Sequence, residues 1–397
     1  MASRPCKILY VNHAAKPSGA EFALIRLLSA IDRDRFTPII AFGEDGPAVQ
    51  MARGLGIEAH VLPLDATVRR ARKDTLRSRI LLSPAIFART AHYAARIAAF
   101  ARRNGVSLIH TNTIKAHVYG LLAGRLANLP VIWHVRDYID PTYFPAPAVK
   151  VIRLLARYGP RHILAVSRSV LERLALPASC LNSTVVLDGL ADHELESTYP
   201  AGNVDHAPEI PRIGILGRIA PWKGQHVFLD AAAKVLRAGC EAEFQIIGTP
   251  LFDENAYEAG LRGQIEQLGL GSRVHFTGFA HDVPAALQPL DILVHASTSG
   301  EPFGQVIIEG MAAGKPVIAS RGGGVPEIIS HGKNGLLTEM GDSRDLSEAM
   351  LFLLRHPAEA KRLARAGQQH VRQNFRVANG AQRIQEIYAS LLKPKRG

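Results

Sequence analysis

Short apolar, β-branched runs alternate with amphipathic stretches along almost the whole chain. In the first half the runs fall at residues 7–12, 37–42, 58–62, 107–111, 130–134, 162–166 and 184–187. The second half repeats the arrangement at 212–216, 243–247, 273–276, 292–295 and 316–319. Near-continuous apolar runs predict strands buried on both faces, and such strands belong to parallel sheets covered by helices. The pattern therefore predicts an α/β protein built from two doubly wound, Rossmann-like domains. Periodicity lapses across residues 189–211, a polar stretch containing Pro and Gly. That lapse separates a first domain, 1–195, from a second, 196–375. A last helix, about 377–392, follows a break near Asn374, and residues 376–397 are expected to return to the first domain.

At 397 residues the chain is long enough for two domains that each bury a core. No run approaches the length needed to cross a bilayer, and the start of the chain lacks a signal-peptide pattern. Cys6, Cys180 and Cys240 form no metal or redox spacing. A reduced, cytoplasmic protein is expected. Charge changes this picture in one respect. Residues 1–195 carry 26 Lys and Arg against 14 Asp and Glu, whereas residues 196–397 carry 21 of each. The whole excess of +12 thus lies in the first half and predicts an anionic partner or surface there. The basic segment 69–79 runs into Ile80-Leu-Leu. It reads equally as a solvated helix or as a contact with an anionic membrane. It lacks the interleaved aromatics that would favour nucleic acid.

Candidate chemistry concentrates at predicted strand ends, where open α/β sheets bind ligands. Glu301 and Glu309 bracket seven residues in Ser299-Gly-Glu-Pro-Phe-Gly-Gln-Val-Ile-Ile-Glu309. Between them Phe303, Gly304, Gln305 and Val306 form a helix start, whose N–H groups attract anions. An anion site between two carboxylates suits a nucleotide diphosphate sugar, and it reads equally as two solvated acids around an ordinary helix cap. Arg218 and Lys223 stand after the first strand of the second domain, on either side of a Pro-containing turn. An Arg fork and a mobile Lys suit a departing diphosphate; the alternative is a pair of surface cations. Gly19, before Ala20-Glu21, and Gly322-Gly-Gly324 mark further loops where a backbone can approach a ligand. His134 ends the run 130–134, where it either meets a sugar hydroxyl or serves the structure alone. Gly310-Met-Ala-Ala-Gly-Lys-Pro316 has the wrong spacing for a P-loop, and no Gly-x-Gly-x-x-Gly follows a strand. No His/Cys/carboxylate spacing indicates a metal.

Together these residues resemble the family 4 glycosyltransferases, retaining enzymes of the GT-B fold. The resemblance rests on Gly217-Arg218 with Lys223-Gly224, on Glu301 and Glu309 with Pro302-Phe303-Gly304 inside, on Gly314-Lys-Pro-Val-Ile318, and on Gly323-Gly324 with Pro326-Glu327. Gly19-Ala-Glu21 is similar to the family's Gly-Gly-x-Glu loop, with Ser18 in place of its first glycine. Asp188-Gly189 is similar to its hinge-side Asn-Gly pair, with Asp for Asn. The resemblance implies two domains facing a central cleft, the first carrying the acceptor and the second the nucleotide sugar. Arg218 and Lys223 would hold the diphosphate, Glu309 the ribose and Glu301 the donor sugar. Gly19 and the amides around Phe303, Gly304, Gln305 and Val306 would touch phosphate and sugar, and His134 would reach the sugar from the other domain. Backbone near Gly278 would read the base of a UDP- or GDP-sugar. The resemblance implies no metal and no further cofactor. The acceptor class it suggests is a saccharide or lipid-linked saccharide of an envelope or exopolysaccharide pathway. A sugar-nucleotide epimerase and a non-catalytic sugar-nucleotide binder are the competing readings.

Overall fold

The computed structural model describes residues 4–16, 18–65, 84–142, 144–177, 182–198, 210–251 and 254–393; the basic segment 69–79, Cys180 and much of the expected inter-domain stretch lie outside these. The chain forms two compact units, one made of Met1–Ala191 with Val377–Gly397, the other of Asp192–Arg376.

The first unit holds a seven-stranded sheet: β1 (Cys6–Asn12), β2 (Phe36–Phe42), β3 (Glu58–Val61), β4 (Val106–Thr111), β5 (Val131–Val135), β6 (His162–Ala165) and β7 (Ser183–Val185). Its order is β3-β2-β1-β4-β5-β6-β7, with every pairing parallel. The second unit holds β8 (Arg212–Leu216), β9 (Glu243–Ile247), β10 (Val274–Gly278), β11 (Ile292–His295), β12 (Val317–Ser320) and β13 (Leu336–Thr338) in the order β10-β9-β8-β11-β12-β13, again all parallel. In each sheet the winding reverses once, between β1 and β4 and between β8 and β11. Loops leaving those strands in opposite directions open a crevice at their carboxyl ends.

The strand runs become strands because both of their faces are covered. Ile8, Tyr10, Ile40, Phe42, Leu108, Ile132 and Leu164 join one core with helix residues Leu24, Leu28 and Ile384. Ile213, Ile215, Phe244, Ile246, Val294 and Ile318 join another with Phe228, Leu346 and Leu353. The sequence pattern misses β13, whose three residues are too few to establish a period. It pairs Leu336 with Ile318 on the edge of the sheet.

The helix Val377–Leu392 belongs to the first unit. Val377, Ala381, Ile384 and Tyr388 recur at helical spacing and enter the first core. The Val377 N–H donates to Leu190 O at 2.8 Å, so the returning chain is pinned where the outgoing chain leaves. Tyr388 then shares a 2.8 Å hydroxyl hydrogen bond with Tyr10 of β1.

Two glycines hold the second unit's crevice loops together. Gly224 has φ of +75°, and a Cβ there would stand 1.9 Å from Ala296 O. Gly248 has φ of +141°, and its Cβ would stand 2.0 Å from Gly217 O. Left-handed strain and overpacking add, so Gly224→Ala or Gly248→Ala is expected to destabilise this unit by about 2–5 kcal/mol. Urea unfolding measures this; an unchanged midpoint would mean the loops relax freely.

Candidate active site

The chain leaves β8 through Gly217 and Arg218 and makes a short turn at Pro221–Lys223 before the helix Gln225–Arg237. It leaves β11 through Ala296 and Ser297 and reaches the helix Gln305–Ala312. These are the two strands flanking the reversal, so their loops lie side by side. Thr298 N–H donates to Trp222 O at 2.9 Å, and Gln225 Nε2 donates to Arg218 O at 3.0 Å.

That lacing brings Lys223 and Glu301 together across 78 residues of sequence. Lys223 Nζ donates to Glu301 Oε1 at 2.5 Å, and Ser297 Oγ donates to the same oxygen at 2.7 Å. His295 Nε2 lies 3.5 Å from it and 3.2 Å from Ser297 Oγ. Burial alone would raise the Glu301 pKa; the Lys223 charge and the contacts with His295 outweigh it and hold the carboxyl well below its ordinary value. Glu301 is therefore ionised at neutral pH. Its backbone is fixed as well: it bridges Gly323, and Gly324 N–H donates to its carbonyl at 2.8 Å. The Gly322-Gly-Gly324 loop thus serves to brace Glu301.

The other residues singled out in this unit take varied places. The Arg218 guanidinium stacks 4.5 Å from the Trp222 ring centroid and lies 3.5 Å from Glu254. Gly304 begins the helix at φ of +135° with no side-chain cap. Gln305 and Val306 form the first turn, so this end of the helix presents its partial positive charge to the loop. The Phe303 side chain is buried, 6.1 Å from the Phe375 ring. Its contribution to any site is through its backbone. Glu309, one turn beyond Gln305, is buried. Gly278 ends β10 at φ of +79° and accepts a 2.8 Å hydrogen bond from Gly248 N–H.

In the first unit Gly19 opens the helix Gly19–Ser29 at the reversal beside β1. Ser18 Oγ donates to Glu21 Oε2 at 2.5 Å, and Asn12 Nδ2 donates to Glu21 Oε1 at 2.9 Å. Burial outweighs these bonds and raises the Glu21 pKa. Ser18 thus gives the buried carboxyl a hydroxyl partner that a glycine could not supply. Asn112, after β4, donates to Asn12 Oδ1 at 3.2 Å and accepts from Arg136 Nε at 2.7 Å. Arg136 also pairs with Asp188, both nearly buried. The aspartate at 188 supplies the charge that Arg136 requires.

His134, at the end of β5, is 1% exposed. Arg136 Nη2 lies 3.4 Å from His134 Nδ1, and an arginine can only donate. Nδ1 therefore accepts, and the proton sits on Nε2. The same logic runs inward. His110 Nε2 donates to His134 Nδ1 at 3.3 Å, Tyr388 donates to His110 Nδ1 at 2.6 Å, and Tyr10 donates to Tyr388. Burial, then the Arg136 charge, hold both histidines neutral with pKa values well below the ordinary one. His134 Nε2–H is left buried without a hydrogen-bond partner among the described residues. It lies beside a small cavity lined in part by Arg136, Asp188, Ala23 and Gly380.

Sequence reasoning did not single out Ser297, His295, Trp222, Glu254, Arg136 or Asn112. Ser297 and His295 alternate at the end of an apolar strand, and that period-two signal could have found them. Glu254 and Asn112 carry no local signal.

Two family models match the chain: "Glycosyl transferases group 1" over residues 204–370 and "Glycosyltransferase Family 4" over 18–177. Phosphatidyl-myo-inositol mannosyltransferase of Mycobacterium leprae is 30% identical over 213 residues, 50% of this chain and 53% of that protein. The chain spans about half the length of the curated relatives it matches. Among solved structures, Anabaena HepE in complex with UDP and glucose aligns over 97% of this chain and 100% of that one, with 29% identity and a TM-score of 0.80. Sucrose-phosphate synthase of Thermosynechococcus elongatus, at 19% identity and a TM-score of 0.76 over 97% of this chain and 99% of that one, shares the fold. The matched ranges take in the glycine loop at residue 19 and the cluster around Lys223 and Glu301, and the chain belongs to the group 1, family 4 glycosyltransferases, with the two Rossmann-like domains of the GT-B fold.

Proposed function

We propose that this protein is a retaining glycosyltransferase that moves a sugar from a nucleotide diphosphate sugar to an acceptor hydroxyl. The observation that carries this reading is the Lys223–Glu301 pair at the β8/β11 reversal, beside an uncapped helix N-terminus. A cation and a helix start suit a diphosphate, and an ionised carboxylate held beside them suits sugar hydroxyls. With donor bound, Lys223 transfers its hydrogen bond from Glu301 to a phosphate oxygen, and Arg218 leaves its ion pair with Glu254 for another. Glu301 then accepts from hydroxyls of the donor sugar, and Glu309 from the ribose. Gly278, Phe303, Gly304, Gln305 and Val306 contribute backbone contacts, and Gly19 contributes its helix start. His134 contributes from behind Arg136, which it helps to orient.

The acceptor hydroxyl attacks the face from which the diphosphate departs, and a phosphate oxygen takes its proton. No side chain becomes covalently attached. The protein contributes positioning and positive charge at the leaving group, without a metal. The unit containing residues 1–191 carries the acceptor, and the other the donor. HepE's capture with UDP and glucose favours a UDP-sugar for this chain over a GDP-sugar. Saccharides or lipid-linked saccharides of glycan assembly are the acceptor class, and the cytoplasm, with peripheral contact at the membrane, is the compartment.

The test is a thermal-shift screen with UDP, GDP and their sugars, followed by a hydrolysis assay on the hit. A UDP-sugar is expected to raise the melting temperature and release UDP slowly with the anomeric configuration kept. Arg218→Ala should lose one charge-assisted contact of about 1.5–3 kcal/mol, slowing release on the order of 10–100-fold. Inverted product, or full turnover in this variant, would overturn the reading.

A further inference from the structure

The helix Ala146–Tyr158 follows β5 and buries Val149 and Ala156 against its own unit. Its outer face is also apolar. Val151, Leu154 and Tyr158 are 56%, 59% and 64% exposed, and their spacing of three and four residues puts them on one stripe. Lys150 and Arg157 are exposed beside the stripe, and Arg161 follows just beyond. The Arg157 guanidinium lies 4.9 Å from the Tyr158 ring centroid. The helix contains no acidic residue. Its remaining cation, Arg153, turns inward and donates to Arg173 O at 2.7 Å and to Ile139 O at 3.2 Å. Those two bonds fix the helix about its axis, so the apolar stripe is held outward.

We infer that this face docks on an anionic phospholipid surface. Val151, Leu154 and Tyr158 enter the headgroup boundary, while Lys150, Arg157 and Arg161 meet lipid phosphates. Single exposed apolar residues need no explanation, but a stripe of three flanked only by cations selects its partner by charge. A second copy of this chain would set the same cations against each other across a two-fold interface. An anionic bilayer satisfies both components, and the excess charge of residues 1–195 adds a longer-range attraction. The helix has 13 residues, and among the described residues no helix is long and apolar enough to cross a membrane. It therefore lies in the plane of the interface. Because the helix runs back from the carboxyl end of β5, its first turn lies on the edge of the sheet from which Arg136 also emerges. This inference is independent of the sugar-transfer reading.

The full chain is sedimented with vesicles of phosphatidylcholine alone and of phosphatidylcholine with phosphatidylglycerol. Binding is expected only to the anionic vesicles and should weaken as salt rises. Val151→Ser with Leu154→Ser, and separately Lys150→Gln with Arg157→Gln, should each lower the partition coefficient about tenfold. All four positions are exposed, so the melting temperature should stay within a degree or two of the parent. Absence of binding to anionic vesicles overturns the inference. So does undiminished binding in the Val151/Leu154 variant, which would move the contact to another surface such as residues 69–79. Light scattering that finds a dimer dissolved by the same double change would assign the face to a second copy instead.

Discussion

Replacing Lys223 by Met is expected to slow sugar transfer on the order of 10–100-fold and to lower the stability of the second unit at the same time. The first effect follows from losing one charge-assisted hydrogen bond to the departing diphosphate, about 1.5–3 kcal/mol. The second follows from leaving Glu301 ionised in a site where burial already opposes its charge. Breaking a fully buried pair costs about 3–5 kcal/mol. Here the side chains keep 26% and 16% of their exposure, so about 1–3 kcal/mol is the fitting range. A double variant separates the two effects. Lys223→Met with Glu301→Gln removes both charges, and most of the lost stability should return. Transfer should stay low, because neither the phosphate nor the sugar has regained its partner. Recovery of transfer along with stability would reduce the pair to a structural ion pair and sink its assigned role. The pH dependence has a fixed sign. Glu301 has a depressed pKa in the folded protein, so its contribution is present above its unfolded pKa, roughly 4.3. It is lost as pH falls through the lower folded value.

The second large effect is acid destabilisation of the first unit that begins above the range of carboxylate titration. His110, His117 and His134 are all buried there. Burial is the leading cause holding each neutral, and it lowers the His117 pKa to about 3. Unfolding releases them to an ordinary value near 6.5. A folded pKa below the unfolded one means that stability is complete above about pH 6.5 and falls as pH drops, because only the unfolded chain takes up the protons. These three alone give a slope of about 4 kcal/mol per pH unit once the pH is well below 6.5, and His13, lowered to about 4, and His162, also lowered, add to it. Glu21 opposes them, since its raised pKa favours the folded state on acidification. It is one proton against those of several histidines. A domain of typical stability, about 5–15 kcal/mol, should then unfold between roughly pH 4 and 6. The two tryptophans allow each unit to be observed separately: Trp133 is fully buried in the first and Trp222 lies in the second. In a Trp222→Phe variant, the urea midpoint of Trp133 fluorescence should fall steeply from pH 7 to pH 5. His110→Gln should reduce the slope by roughly a fifth to a third. A midpoint independent of pH over this range would contradict the buried neutral histidines.

Much of the fold was legible because its strands are covered on both faces. A run such as Ile213-Gly-Ile-Leu216 is apolar at nearly every position only where helices lie above and below it. β13 was invisible for the opposite reason: three residues establish no period, and only pairing with β12 makes them a strand. The site was legible in part. Lys223 and Glu301 each stood at a predicted strand end, and the winding of a doubly wound sheet brings such ends together. Glu254 was not legible, since it matters only through Arg218, which leaves a different strand. His134 was legible in position, with its role left open between a sugar contact and structure alone. Its strand position is readable, whereas its partners are His110 of a neighbouring strand and Arg136, and His110 in turn is held by Tyr388 from the returning helix.

By itself, then, the sequence determined the α/β class, the strand ends, the glycines of the crevice loops and the charge division between the halves. These are local or compositional properties, carried by period, turn chemistry and residue count. Tertiary structure alone decided which cation meets which carboxylate, which nitrogen of His134 bears its proton, and that the stripe on Ala146–Tyr158 faces outward. Those outcomes depend on distances between elements remote in the chain, and hydrogen bonds and burial are set by such distances rather than by neighbouring residues.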